Sequence, residues 1–458
     1  MPAALHYSVD GANERKLRET AEAERRTRQR MIGAARNYYL GEQWRPLLST
    51  DTVDHNVTIN LCRQVVDRQV AFLFPDMPRL ELVEGRQTDD ERALNDAWAA
   101  VGGVLRLTEM ALTGALAGHV FARVHPGDEE DQPVRLVSLD PALVLRWWSP
   151  DDVERTLWYE VQYEAGGGLV RQDIVREAGG WRIVDWAYER TSWRKTGETA
   201  WNSALGPVVD WAWDALPHRA YGAGEIEHRE LNDHVNAVAS DISKILHHHG
   251  SPRTVVTGGG DVKQVETGPD RLFSIANPDA KVYNLEMQSD LSAAMNYVQM
   301  LERAFFAQSR VVRLSGDVQD MQRVTNLGIR ALYIDQLAKT EDLRRRFEWG
   351  IQEISRRMLA LMGRTPQRPR VHWPDPLPQD PLQTVELMER ERQLGLVSKA
   401  TMAHSLRIDW GIEQERMRED EGLTDVLLEQ LATAPGFGAR ANGQPANGQP
   451  VMPVGVFE

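Results

Sequence analysis

The spacing of apolar residues divides the chain into a helical beginning, a stranded middle and a long helical second half. Residues 14–37 are dense in charge and free of proline, which predicts a solvated helix with a thin apolar stripe. Tyr38-Tyr39-Leu40-Gly41-Glu42-Gln43-Trp44 follows. Gly41 suits a helix stop, Pro46 blocks continuation, and the aromatics are expected to pin the helix to the body. Asn60 is placed to cap a second helix with Leu61, Val65, Val66, Val70, Leu73 and Phe74 on its apolar face, ended by Pro75 and Pro78. A third helix is expected over 89–116, bent at Ala99-Ala100-Val101-Gly102-Gly103. From Gly118 the period changes to two, through Val120, Ala122 and Val124, then Val134 and Leu136, then Leu143, Leu145 and Trp147. Residues 157–163, 169–176 and 181–188 are short runs separated by Gly166-Gly167-Gly168 and Gly179-Gly180. They read as a twisted antiparallel sheet with hairpin turns. Leu205-Gly206-Pro207-Val208-Val209 is a turn and a strand leaving that sheet.

The stretch 231–362 is the organising one. Gly222 and Gly224 read as a flexible entry to a helix over 225–249, with Val235, Val238, Ile242, Ile245 and Leu246 on one face and a stop at Gly250-Ser251-Pro252. Residues 253–288 form a compact insert of short strands (253–257, 262–266, 272–275, 281–285), turned by Gly258-Gly259-Gly260 and Gly268-Pro269. Helix returns over 291–308, and residues 310–319 break the pattern around Gly316. Val324, Leu327, Ala331, Ile334, Leu337, Leu343, Phe347, Ile351, Ile354, Met358 and Leu361 then track one face. They predict a single helix of ~38 residues, ~57 Å long, which must find partners along its whole length. Pro366, Pro369, Pro374, Pro376, Pro378 and Pro381 mark a stiff linker. Short helices over 384–394 and 398–406, the second capped by Ser398, precede an acidic helix over 412–431. From Ala432 the low-complexity tail is expected to be disordered.

Composition narrows the function classes. A net charge of −14 over 458 residues argues against a surface that grips nucleic acid throughout, though not against one that lets DNA pass. The single cysteine, Cys62, leaves no internal disulfide and no cysteine zinc site, and its apolar helical setting reads as a packed thiol. The opening MPAALHYSVDGANERK has no apolar core, so no signal peptide is expected, and no run is long enough for a membrane span. GxxxxGK[ST], HExxH, GxSxG and CxxC are all absent. His247-His248-His249 lie about 100° apart on a helix, which is a poor chelating geometry. Asp151/Asp152 and Glu129/Glu130/Asp131 fall in turns as solvated charge. Nine of the fourteen tryptophans lie in 147–213, which fits either ring packing in a small sheet or a subunit interface, or a sugar-stacking surface. No catalytic residues, metal or cofactor are expected.

Several stretches, in this order, resemble one family. They are Tyr38-Tyr39-Leu40-Gly41; Asn56-Val57-Thr58-Ile59-Asn60 with Val65-Val66-Asp67 and Leu73-Phe74, where Pro75 replaces a usual glycine; Gly118-His119-Val120-Phe121; Asp140-Pro141-Ala142-Leu143-Val144; Gly206-Pro207-Val208-Val209; and Thr325-Asn326-Leu327-Gly328-Ile329-Arg330-Ala331-Leu332-Tyr333, where Asn326 takes a glycine position. Together they resemble the portal (head–tail connector) proteins of tailed bacteriophages, siphophage type, over residues 30–425.

The resemblance implies an α+β, mainly helical subunit assembled as a ring, with a wing over 1–228, stem helices over 229–249 and 289–309, and a small α/β clip over 250–288. It further implies a tunnel loop over 310–323, a long wing helix over 324–363, a Pro-rich linker over 364–383, a helical crown over 384–431 and a tail over 432–458. Twelve such subunits would conduct double-stranded DNA at one capsid vertex of the virion, after assembly in the host cytoplasm. Implied partners are further copies of the chain, the large terminase subunit, a head-completion or adaptor protein, and the major capsid or scaffolding protein; no membrane is implied. The implied channel residues are Arg310, Arg313, Asp317, Asp320 and Arg323, whose mixed charge reads as weak DNA contacts or as bridges between neighbouring subunits. The implied clip residues for partner binding are Arg253, Lys263, Gln264, Arg271 and Lys281. Two other readings remain open: a carbohydrate-binding protein or glycosidase built on the Trp-rich sheet, and an oligomeric scaffold that conducts nothing.

Overall fold

The computed structural model describes residues 11–43, 55–83, 88–128, 132–149, 152–250 (except 178, 202, 218 and 227), 253–257, 279, 281–285, 291–313, 326–377, 381–405, 408, 410–411 and 413–419. They fall into two compact units, Met1–Leu377 and Pro378–Glu458.

The first unit begins with α1 (Gly11–Leu40), α2 (Leu61–Leu73), β1 (Arg79–Glu81), α3 (Asp89–Ala100) and α4 (Gly103–Ala117). Asn60 caps α2 as expected, its side-chain oxygen accepting the Arg63 amide at 2.9 Å. The expected third helix is two, α3 and α4, meeting at 62° where Gly102 and Gly103 take positive φ. Eight strands follow: β2 (His119–Pro126), β3 (Val134–Leu139), β4 (Val144–Ser149), β5 (Asp152–Ala165), β6 (Gly168–Glu177), β7 (Gly180–Glu189), β8 (Ser192–Trp201) and β9 (Val208–Ala212). They make a three-stranded sheet, β3-β2-β9, and a five-stranded meander, β4-β5-β6-β7-β8, antiparallel throughout. The sheets share a core of Phe121, Val144, Tyr159, Val161, Ile174, Ile183 and Val208. β8 carries no clean alternation in the sequence because most of its residues are exposed on an edge strand.

The rest of the unit is α5 (Arg229–Gly250), β10 (Arg253–Thr257), β11 (Lys281–Leu285), α6 (Ser292–Ser309), α7 (Asn326–Leu332), α8 (Ile334–Leu361) and β12 (Arg370–His372). The expected single long helix is interrupted at Tyr333, which leaves helical geometry (φ −94°, ψ 8°) and is buried against Phe72, ring centroids 5.4 Å apart. Apolar spacing continues across the break, which is why periodicity alone does not reveal it. Much of the Pro-rich stretch is held by contacts of its own. Residues 370–372 pair with β1, Arg364 meets Asp90 at 2.5 Å, and Arg368 meets Glu353 at 2.7 Å. Proline bars helix and central strand but not a docked edge strand.

The main core gathers on α8. Phe347 lies edge-on to Phe74, just after α2, and to Trp211 of β9, both at 5.3 Å, and to Trp213 at 5.9 Å. Leu343, Ile351, Ile354 and Met358 extend that face against α2, α3, β2 and β9. Gly222 and Gly224 are not a flexible entry. A Cβ on Gly222 would sit 2.5 Å from the Gly118 carbonyl oxygen, and one on Gly224 would sit 2.7 Å from that of Ala115. The Glu225 amide instead donates to Ala115 O at 2.6 Å, satisfying a carbonyl in the last turn of α4.

The second unit contains α9 (Pro381–Gln393) and α10 (Lys399–Ser405). Ser398 caps α10 as expected, accepting from Thr401 N at 3.2 Å. Most of the acidic helix and all of the tail lie outside the described residues.

Gly222→Ala is expected to lower stability by about 2 kcal/mol or more, because only backbone can give way. Gly33→Ala on α1, where nothing lies within 4 Å of the added carbon, should raise it by roughly 0.5–1 kcal/mol. Urea unfolding of both variants checks the contrast.

Candidate functional site

The candidate site is the hairpin of α5 and α6 with the turn that leaves α6. Its root is built by a match of periods. Asn232, Asn236 and Ser240 stand four residues apart along α5. Their side-chain oxygens accept the amides of Leu61, Ile59 and Val57 at 2.8, 2.8 and 2.9 Å. Four helical residues rise ~6 Å, and two extended residues rise ~6.6 Å, so one helix face can serve alternate amides of an extended segment. Leu61, Cys62, Val65, Val235, Leu301, Phe305 and Phe306 close the root. The Cys62 thiol is buried, and burial pushes its pKa up to about 12, so it packs rather than reacts. Farther out, Lys244, Leu246, Met295, Tyr297 and Met300 are exposed, so the hairpin projects from the body.

At the end of α6, Arg310 takes a left-handed conformation (φ 52°) and turns the chain out. The next two residues are clamped. Val312 N donates to Gln336 Oε1 at 2.9 Å, Arg68 Nη1 donates to Val312 O at 2.9 Å, and Val311 is buried. Lys339 Nζ donates to Ser309 O at 2.7 Å and pairs with Glu225, whose other oxygen accepts from Trp213 Nε1 at 3.1 Å. A polar cleft of about 110 Å³ beside these groups is lined by Arg310, His228, Asp214, Asp342 and Arg346 among others.

Among the implied channel residues, Arg310 is exposed, and Arg313 pairs within the chain with Glu302 at 2.6 Å. Asp317, Asp320 and Arg323 lie outside the described residues, as do Lys263, Gln264 and Arg271 of the clip set. Arg253 and Lys281 stand at opposite ends of the antiparallel β10–β11 ladder, where Arg253 is opposite Leu285 and Thr257 is opposite Lys281. The structure therefore does not bring these two together. Sequence reasoning missed Arg68, Gln336, Lys339 and Glu225, which hold the exit of α6 from three distant stretches. The spacing Asn232, Asn236, Ser240 was a readable signal of polar docking on an otherwise amphipathic helix.

A second polar cluster lies between the sheets. Asp210 accepts from Arg146 at 2.7 Å and Tyr159 at 2.5 Å, and His119 Nε2 lies 2.9 Å away. Burial alone would raise the Asp210 carboxyl; Arg146, His119 and Tyr159 hold it well below the usual range. Burial pushes His119 below its ordinary value despite Asp210, so the imidazole is neutral. These groups join β2, β4, β5 and β9. The Trp-rich sheet spends its rings on packing: Trp147 and Trp148 are buried under α1, and Arg171 lies 5.0 Å from the Trp186 ring and 4.9 Å from the Trp193 ring. No metal-binding cluster occurs among the described residues, and no single helix there is long and apolar enough to cross a membrane.

Residues 228–421, which begin one residue before α5, match the family model of phage portal proteins, SPP1 Gp6-like. The resemblance read from the sequence holds there. No curated protein matches the chain. Among solved structures it is similar to a chain from the virion of a native gene transfer agent particle, at 14% identity and a TM-score of 0.44, covering 82% of this chain and 93% of that one. It is also similar to a chain from the neck of an empty gene transfer agent particle, at 15% identity and a TM-score of 0.44, covering 76% and 89%.

Lys339→Met should cost about 3–5 kcal/mol, because it strands the buried Glu225 carboxylate. Adding Glu225→Gln, which still accepts from Trp213, should recover most of that loss. Denaturant unfolding of the single and double variants measures it.

Proposed function

We propose that the chain is a phage portal subunit, forming a dodecameric ring at one capsid vertex that conducts double-stranded DNA during packaging and ejection. The observation that carries this reading is the family match over 228–421, which spans the projecting hairpin, the turn out of α6, and α7–α8. In this reading residues 1–228 with α7 and α8 are the wing, α5 and α6 the stem, and 250–288 the clip. The clip is the docking platform for the large terminase subunit and then for head–tail joining proteins. Residues 310–323 are the tunnel loop, and 384–431 the crown. Function is mechanical, and the virion is its location.

The clamped exit at Val311 and Val312 supports a channel role for the loop that begins there. A loop that touches moving DNA needs a fixed root, or contact forces would be lost in backbone motion. The pairing of Arg313 with Glu302 favours charge neutralisation at that root over a strong grip on phosphate, which would brake sliding.

Negative-stain images of the purified chain should show rings of about twelve subunits with an axial hole, by the closed symmetry such assemblies adopt. Monomers alone would overturn the reading, and rings with a closed centre would favour a non-conducting scaffold. Deleting 312–320 should leave rings intact and impair DNA packaging or retention. Unchanged packaging and retention would remove the assigned loop role.

A further inference from the structure

Helix α1 packs on α2 and α4 and lays Ala21 over Trp147 and Trp148, and charged groups tie it further to β4, β5 and the turn before β4. Arg25 donates to Glu160 at 2.6 Å and to the Leu143 carbonyl at 3.1 Å. Arg28 donates to the Val144 carbonyl and stacks 3.6 Å from the centre of the Tyr221 ring. Arg36 meets Asp140 at 2.6 Å. Both buried arginines thus have their main partners on the sheet side. Glu24 stands one turn before Arg28 on the same helix. It is 4% exposed, and neither carboxylate oxygen makes a hydrogen bond of normal geometry among the described residues, although Tyr221 lies close enough to favour the ionised form. A buried ionised carboxylate in that position bears a desolvation cost that Arg28, Tyr221 and Arg25 offset only in part.

We propose that α1 is a proton-linked strap: with Glu24 neutral it lies tight on the sheet, and with Glu24 ionised it loosens.

The groups that face Glu24 are Arg25 and Arg28 from α1 itself and Tyr221 from the segment before α5; Tyr221 in turn faces Arg146 of β4. Glu160 of β5 belongs to Arg25, and Asp210 of β9 to Arg146, His119 and Tyr159. Burial outweighs the two arginines and Tyr221 and pushes Glu24 from 4.5 up to about 7. A carboxyl raised in the docked state binds its proton more tightly there than when released. Docking is therefore strongest at low pH, weakens as pH rises from 4.5 towards 7, and stays weakened above. His119 runs the other way, since a buried neutral imidazole supports the fold above 6.5 and loses that support below it.

The test is amide hydrogen exchange on the full-length chain at pH 6 and pH 8, corrected for intrinsic rates, comparing residues 20–36 with α4. In the native chain, protection of 20–36 relative to α4 should fall about tenfold between pH 6 and pH 8, the change expected from a shift of this size. Glu24→Gln keeps the shape and removes the charge. It should flatten the pH response while leaving the His119 contribution in place, with higher protection than the native chain at pH 8. A native chain whose protection does not change overturns the proposal. So does an equal fall in both proteins. A third overturning result is a carboxylate that swings to Arg28 on ionising and leaves α1 equally protected. The native-chain measurement decides the matter even if the variant folds poorly, and none of it depends on the portal reading.

Discussion

Burial of the Phe347 ring is the contact on which the first unit depends. It meets Phe74, just after α2, and Trp211 and Trp213, in β9 and just after it, in T-shaped contacts, so one side chain joins the N-terminal helices, the small sheet and the long helix. Aromatic groups in edge-on contact add specific geometry to the area they bury. Gly350, one turn further along α8, leaves room for Trp211; a Cβ there would come within 2.9 Å of its ring. The helix is held where these rings require it.

Polar groups then set its register. Thr340 accepts from Gln69 of α2 at 3.1 Å, Ser355 accepts from Trp98 of α3 at 3.0 Å, and Gln336 accepts from the chain leaving α6. Glu353 gathers Arg357 and Arg368 at 2.6 and 2.7 Å. Each is buried, and sliding α8 by a turn would break all of these contacts except the Glu353–Arg357 pair, which lies within the helix. The same register that packs the core therefore fixes the point from which residues 310–323 emerge. In the proposed ring, that would connect the loop facing DNA to the body of each subunit through rigid contacts.

Much of the fold was readable from the chain. The Asn60 and Ser398 caps, the α3–α4 bend, the glycine-turned meander and the two helices of the hairpin come from local rules of capping, glycine conformation and periodicity. The break at Tyr333 was not readable, because an apolar residue in register looks the same in a helix or at a kink. Nor was the close packing of Gly222 and Gly224, since glycine marks both a hinge and a place where two backbones touch. The site was legible as a position, the interruption after α6, but not as a mechanism. The residues that hold Val312 come from α2 and α8, and no local pattern names them.

What the sequence determined alone was the order and kind of the elements, and through short motifs in series a family resemblance. These are properties of neighbours along the chain, where backbone preference and side-chain period act directly. The tertiary structure decided which charged groups are buried together. Arg25 finds Glu160, Arg146 finds Asp210, Lys339 finds Glu225, and Glu24 is left without a hydrogen bond of normal geometry among the described residues. Pairing of that kind depends on desolvation, and desolvation is set only when distant segments close over the group.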